Sequence, residues 1–303
     1  MELIIENNIN TRIDSYLSEK LNFSRSKVVK MIKDGVILVN GNVVKNSYTL
    51  KKDDVIEVGE QKQEEMNIEP ENIPLDIVYE DDDVLVVNKP NGMVVHPAIG
   101  NNHGTLVNAL LYHSKNLSNI NGEFRPGIVH RIDAYTTGLL MVAKNDKAHE
   151  ILAEELSKKE TRRKYIALVW GIIKEDTATI DAPIGRDLND RKKMSVTSVN
   201  SKDAITHLKV LKRFKDATLI ELQLETGRTH QIRVHMNYIG HPVVNDPVYG
   251  RRKIIDDSGQ CLHAFLIGFN HPTTNKYMEF KCELPECFTN ILNKFEEENT
   301  SVS

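Results

Sequence analysis

His130, Arg131 and Asp133 stand within four positions of one another, just ahead of an apolar run. That run, Gly138 to Ala143, shows no alternation, so it reads as a strand covered on both faces. Thr136-Thr137-Gly138 is turn-like, and a side chain just before it can be held rigidly at the mouth of a sheet. A loop carboxylate with a basic neighbour, anchored by a buried strand, suits a nucleophile or a general base. The same aspartate can also do no more than cap the turn. A second polar cluster runs from Glu225 to His235 and invites a metal reading through its histidines. Yet His230, His235 and His241 lack the i, i+4 pair and the carboxylate base of a zinc hydrolase helix, so no metal site is expected.

The elements that must carry these residues are legible from periodicity. Residues 77–80 and 84–88 read as strands around the acidic turn Asp81-Asp82-Asp83, and Lys89-Pro90-Asn91-Gly92 as a sharp turn after them. Thr105 opens a helix with Val107, Leu110 and Leu111 on one face; Asp146 is expected to cap another bearing Ala148, Ile151, Leu152 and Leu156. Lys164 to Gly171 and the alternating stretch from Leu219 to Leu224 are further strands. Thr229 is placed to cap a helix in which Ile232, Met236 and Ile239 share a face and Arg233 lies in the first turns.

The N-terminal part is self-contained. Ile13, Tyr16, Leu17 and Leu21 recur at helical spacing, and Ser24 caps a second helix that stops at Gly35. Two short strands around Asn40-Gly41 form a hairpin signal, and residues 54–58 supply another strand. Glu60 to Pro74 is polar and aperiodic, hence a linker. The organisation expected is a small domain over 10–58, a linker over 59–74, a large domain over 75–292 and an acidic tail over 293–303.

Composition sets the outer bounds. The 303 residues are 40% hydrophobic and 27% charged, enough for a sizeable core. No run approaches the ~18 apolar residues of a membrane span, and Met1 opens no secretory pattern, so a cytoplasmic protein that does not bind membranes is expected. Three cysteines make no disulfide framework and read as free thiols. The net charge of −4 hides basic clusters at 158–164, 186–193 and 209–215, each a phosphate-binding surface or an ordinary solvated face.

Gly127-Ile128-Val129-His130-Arg131-Ile132-Asp133 followed by Thr136-x-Gly138-Leu139-Leu140 resembles the central motif of the D-type pseudouridine synthases of large-subunit ribosomal RNA. Three more blocks follow the family order: Asn88-Lys89-Pro90-x-Gly92 with Gly104-Thr105-Leu106, Tyr165 in its strand, and Thr226 to His235 with Gly240-His241-Pro242 and Asp246. The family usually has Lys-Asp after the aspartate and Ser before the glycine, where this chain has Ala134, Tyr135 and Thr137. Residues 10–58 resemble the small RNA-binding domain named for ribosomal protein S-four, through Arg12-Ile13-Asp14, Ser24-Arg25, Ile32-x-x-Gly35 and Val39-Asn40-Gly41.

The resemblance implies an α+β protein, with a helix-helix-hairpin domain followed by a mixed, mainly antiparallel sheet flanked by helices. It implies an isomerase that breaks a uridine's glycosidic bond at a ring nitrogen and remakes it at a ring carbon, with no cofactor. Asp133 would be the essential carboxylate, Arg233 its partner, Tyr165 the residue packing on the base, Ile232 a further base contact, and Arg131 the filler of the gap left by the flipped nucleotide. Arg25, Lys27 and Lys30 would meet RNA phosphates. The expected partner is RNA, large-subunit ribosomal RNA first and transfer RNA as the alternative, with the protein a monomer. A non-catalytic ribosome-assembly factor would lack the carboxylate, its arginine or the tyrosine. A glycosidic hydrolase would need a second placed acid.

Overall fold

The computed structural model describes residues 2–6, 10–59, 68–97, 102–114, 117–118, 120, 126–190, 193–250 and 254–300. The chain divides into two compact units, Met1–Glu65 and Met66–Ser303.

The first unit consists of β1 (Glu2–Ile4), α1 (Ile13–Lys20), α2 (Arg25–Lys33), β2 (Ile37–Val39) and β3 (Val55–Val58), its antiparallel sheet in the order β1-β3-β2. Ile13 and Leu17 of α1 meet Val28 and Ile32 of α2 in one core with Ile37 and Ile56, as the helical spacing requires. Ser24 caps α2 by accepting from the Lys27 N–H. Asn40 and Gly41 both take positive φ (51° and 74°), the geometry of a hairpin turn. The return strand expected at Val43-Val44 shrinks to a single bridge between Val39 and Asn42, and β2 pairs with β3.

The second unit opens with β4 (Asp76–Glu80), β5 (Val84–Lys89), α3 (Leu106–His113), β6 (Thr137–Ala143), α4 (Asp146–Ser157) and β7 (Arg162–Trp170). It continues through β8 (Thr177–Asp181), β9 (Ile184–Arg186), β10 (Met194–Val196), β11 (Ile205–Arg213), β12 (Ala217–Leu224) and α5 (Gln231–Tyr238). It closes with β13 (Leu262–Asn270), β14 (Tyr277–Lys281) and α6 (Glu286–Thr300). Among the described residues, nine strands form one mixed sheet in the order β4-β5-β6-β13-β7-β12-β11-β8, with β14 branching from β13. Only the β6–β13 pair in it is parallel, so the sheet is mainly antiparallel as expected.

All seven residues of β6 are buried, which is why its sequence does not alternate. Leu140 and Val142 face one core cluster, while Leu139, Met141 and Ala143 face another. Gly138 has φ +108°, and a Cβ there would run into the Ala264 carbonyl of β13. The loop bearing Asp133 thus enters the sheet where β6 and β13 backbones pack closely.

Four local expectations are corrected. Asn145, not Asp146, caps α4 by accepting from Ala148 N–H at 2.9 Å. His230, not Thr229, occupies the N-cap of α5, with no side-chain cap bond. The described part of the linker, residues 68–74, is pinned to the large unit: Glu71 N–H donates to Asn108 O at 3.0 Å and Asn108 Nδ2 to Glu69 O at 2.8 Å. Extended backbone held by such bonds has no side-chain period to announce it. The supposed tail from 293 is helical through Thr300, and its Phe295 packs on Trp170 and Phe214.

Candidate active site

The loop before β6, strand β7 and helix α5 line one cleft of about 450 Å³. Its walls include Asp133, Arg131, Tyr165, Ile232 and Arg233, so residues spread over a hundred positions of sequence meet in one place. Arg233 Nη1 donates to Asp133 Oδ2 at 2.9 Å. The other edge of the guanidinium is occupied: Nε and Nη2 donate to Asp246 Oδ2 and Oδ1 at 2.7 and 2.8 Å. Asp246 is itself held by the N–H groups of Val248 and Tyr249.

A bidentate pair of this kind fixes the plane of the guanidinium and so aims Nη1 at Asp133. Burial works against the Arg233 cation, but the hydrogen bonds and charge of Asp246, and then the charge of Asp133, outweigh it and raise its pKa. Two carboxylates share one cation, so the trio carries net negative charge. Asp246 is wholly buried while the Asp133 side chain is 18% exposed, which makes Asp133 its accessible end.

His230 stands beside this trio. Tyr249 Oη accepts from Met194 N–H at 2.9 Å and lies within hydrogen-bond reach of His230 Nδ1, 2.8 Å away. Its Nε2 faces Asp133 Oδ1 at 3.8 Å. Burial lowers the His230 pKa even though Asp133 pulls the other way, which keeps the ring neutral near pH 7. The ring is brought there by a left-handed N-cap, φ 57°, uncommon for a side chain of this size.

Lys89 reaches the loop from β5. Its wholly buried ammonium donates to the carbonyls of Pro90 and Ala134, each at 2.8 Å. Burial drives its pKa down to about 7, against the charge of Asp133. Because the Ala134 contact is to backbone, the departure from Lys at 134 leaves it intact. Tyr135 instead packs its ring against Gly259, and Thr137 Oγ1 bonds His263 Nδ1 at 2.8 Å. Thr136 N–H donates to Asp133 O at 3.0 Å, and Gln260 Nε2 to Thr136 Oγ1 at 3.0 Å.

Tyr165 on β7 and Ile232 on α5 are 6% and 4% exposed, and both also belong to the main core cluster. Arg131 is exposed on the cleft. On α2, Arg25, Lys27 and Lys30 are all exposed, but Arg25 is not free: its Nε and Nη2 donate to the buried Asp14 at 3.1 and 3.2 Å. Lys27 Nζ lies 3.7 Å from the centre of the Phe23 ring. Within the basic stretch 186–193, Arg191 and Lys192 lie outside the described residues. From sequence, Lys89 reads as part of a turn and a motif block, Asp246 only as a motif position, and nothing singles out Tyr249.

The family model for RNA pseudouridylate synthase matches residues 83–238, and the S4 domain model matches residues 11–56. The chain belongs to the RNA pseudouridylate synthase family. This synthase is 55% identical over 282 residues to the uncharacterized RNA pseudouridine synthase YlyB of Bacillus subtilis (strain 168), covering 93% of each chain. It is 43% identical to the ribosomal large subunit pseudouridine synthase D of Zymomonas mobilis subsp. mobilis, again over 93% of each. Among solved structures, human RNA pseudouridylate synthase domain containing 1 superposes with a TM-score of 0.57 at 27% identity, covering 74% of this chain and 95% of that one. The synthase is therefore an isomerase with an RNA-binding S4 domain.

Proposed function

We propose that this synthase converts uridines of large-subunit ribosomal RNA to pseudouridine, with Asp133 as the essential carboxylate. The observation that carries the reading is the Asp133–Arg233–Asp246 trio at the cleft, with Asp133 as its accessible anionic end. Names of relatives at 40–43% identity, including the Zymomonas enzyme and its Vibrio vulnificus counterpart, point to large-subunit ribosomal RNA as substrate.

Isomerisation exchanges the C1′–N1 bond for a C1′–C5 bond, while C5 loses a proton and N1 ends protonated, so mass is unchanged. Asp133 is the group for a step at the sugar or the ring, and Arg233 holds its charge in place. An ion pair near 4 Å at an effective dielectric near 20 is worth about 4 kcal/mol in the charged form. The target nucleotide leaves its helix at a cost of a few kcal/mol. Stacking on Tyr165, about 1–3 kcal/mol, and Arg131 in the vacated gap offset that cost, while Ile232 lies against the base. Arg25, Lys27 and Lys30 of the S4 domain meet RNA phosphates.

The test is to map pseudouridines in ribosomal RNA from cells with and without this chain, then restore the missing ones in vitro with the purified synthase. Loss of specific large-subunit sites and their recovery is expected. An unchanged ribosomal map with altered transfer RNA would move the substrate, and no change in any RNA would overturn the reading.

A further inference from the structure

The cleft contains a buried cation that the Asp133 site does not use. Arg163, two residues before Tyr165 on β7, is 7% exposed and lines the same cleft. Among the described residues no carboxylate pairs with it, and its Nε is buried without a hydrogen-bond partner. Burial lowers the pKa of this guanidinium. Its basic neighbours Arg162 and Lys164, on the opposite face, are both paired, to Glu279 and Glu221. The uncompensated charge is therefore particular to the cleft side of the strand.

His130 supplies a second idle donor. Its Nε2 accepts from Met141 N–H at 3.1 Å, so Nδ1 carries the hydrogen, and Nδ1 is buried with no partner among the described residues. Gly227, also in the cleft lining, lies against the guanidinium: a Cβ there would stand 2.7 Å from Arg163 Nη1. A lone buried charge costs free energy unless something completes it. A planar guanidinium and an N–H lining one cleft suit a tetrahedral anion.

We infer that Arg163, assisted by His130 Nδ1–H, binds a phosphate flanking the uridine whose base rests on Tyr165. The inference rests on the RNA-isomerase reading for its substrate. Residues i and i+2 on one strand face lie about 6.8 Å apart, a span comparable to that from a pyrimidine ring across its ribose to a flanking phosphate. Arg163 thus fixes the sugar's position relative to Asp133, a function separate from stacking and from gap filling.

Binding without turnover reads the subsite directly. The full chain is titrated with uridine, uridine 5′-monophosphate and uridine 3′-monophosphate by ligand-observed NMR. One monophosphate should bind the wild type at least about ten-fold tighter than uridine, as a charge-assisted contact implies. Arg163→Met should reduce that gain to less than about three-fold, and Arg163→Lys, which keeps the charge, should recover part of it. Equal gains in wild type and Arg163→Met, or no gain in the wild type, would overturn the inference. In an RNA that the wild type isomerises, a methylphosphonate at the same flanking position should slow the wild type and add little to the loss in Arg163→Met. Additive losses would overturn it as well. If the wild type isomerises no RNA, the functional reading fails while the nucleotide titration still decides the subsite.

Discussion

Asp133, Arg131 and His130 were legible because they are adjacent in sequence, and contiguous polar residues ahead of a buried strand need little tertiary knowledge. Asp246, Tyr249 and Lys89 were not, because their importance lies in distant partners: Arg233, Met194 and the Ala134 carbonyl. Lys89 carries a pH prediction. Its pKa falls from the ordinary lysine range to about 7 on folding, so between pH 7 and about 10 the unfolded chain binds the extra proton. Stability contributed by this site therefore rises with pH across that window. Chemical denaturation from pH 7 to 9 should show wild-type stability rising more steeply than that of Lys89→Met, by about 1 kcal/mol per pH unit. Parallel pH profiles would refute it. Tyr165 separates stacking from packing: Tyr165→Phe should keep RNA affinity, while Tyr165→Leu should lose about 1–3 kcal/mol in a filter-binding titration. Equal affinities would return Tyr165 to the core alone.

Among the elements, strands and helices followed their apolar periods closely, and the Ser24 and Thr105 caps and the Asn40-Gly41 turn held, whereas the caps of α4 and α5 did not. The N-cap of α4 moved by one residue, and that of α5 fell on a left-handed histidine, because which oxygen meets which N–H depends on local geometry that several residue types satisfy. The acidic β4–β5 turn shows the same point. Asp81 accepts from Tyr79 Oη, the N–H groups of Asp83 and Val84, and His271 Nε2, which makes it the organiser of the turn rather than one of three solvated acids. Burial opposes its charge, but these bonds hold its pKa at about 2. Its contribution is present above the ordinary Asp pKa near 4 and is lost as pH falls through about 2. Asp81→Asn should lower stability by about 2 kcal/mol at pH 7 and by much less at pH 2, measured by urea denaturation. A loss independent of pH would place the effect in packing.

The whole molecule was legible as two units, since four motif blocks in order and a separate helical module leave few other architectures. The extent of the large unit was less so: residues 68–74 are bound to α3 and Phe295 closes a cluster on Trp170. A clean division therefore falls near Met66, not inside the bound segment. A chain beginning there should fold and isomerise RNA at high concentration, with weaker binding and a shallower salt dependence, as each lost phosphate contact removes about 0.7–0.9 from the slope. Arg25 is a poor single probe of this, because Arg25→Ala also strips a partner from buried Asp14; Lys30→Ala should lower affinity without lowering domain stability. Unchanged affinity and slope in the shortened chain would assign the S4 domain to another partner.

The central claim is that the Asp133 carboxylate does the chemistry on RNA bound by the full chain. Asp133→Asn keeps the shape of the side chain and leaves the Arg233–Asp246 pair in place. Single-turnover assays at saturating RNA, scored by pseudouridine content, should show a fall of at least about 10⁴-fold with RNA affinity retained, and adding Arg233→Met should cost little more. Turnover by Asp133→Asn within about ten-fold of wild type would contradict the account.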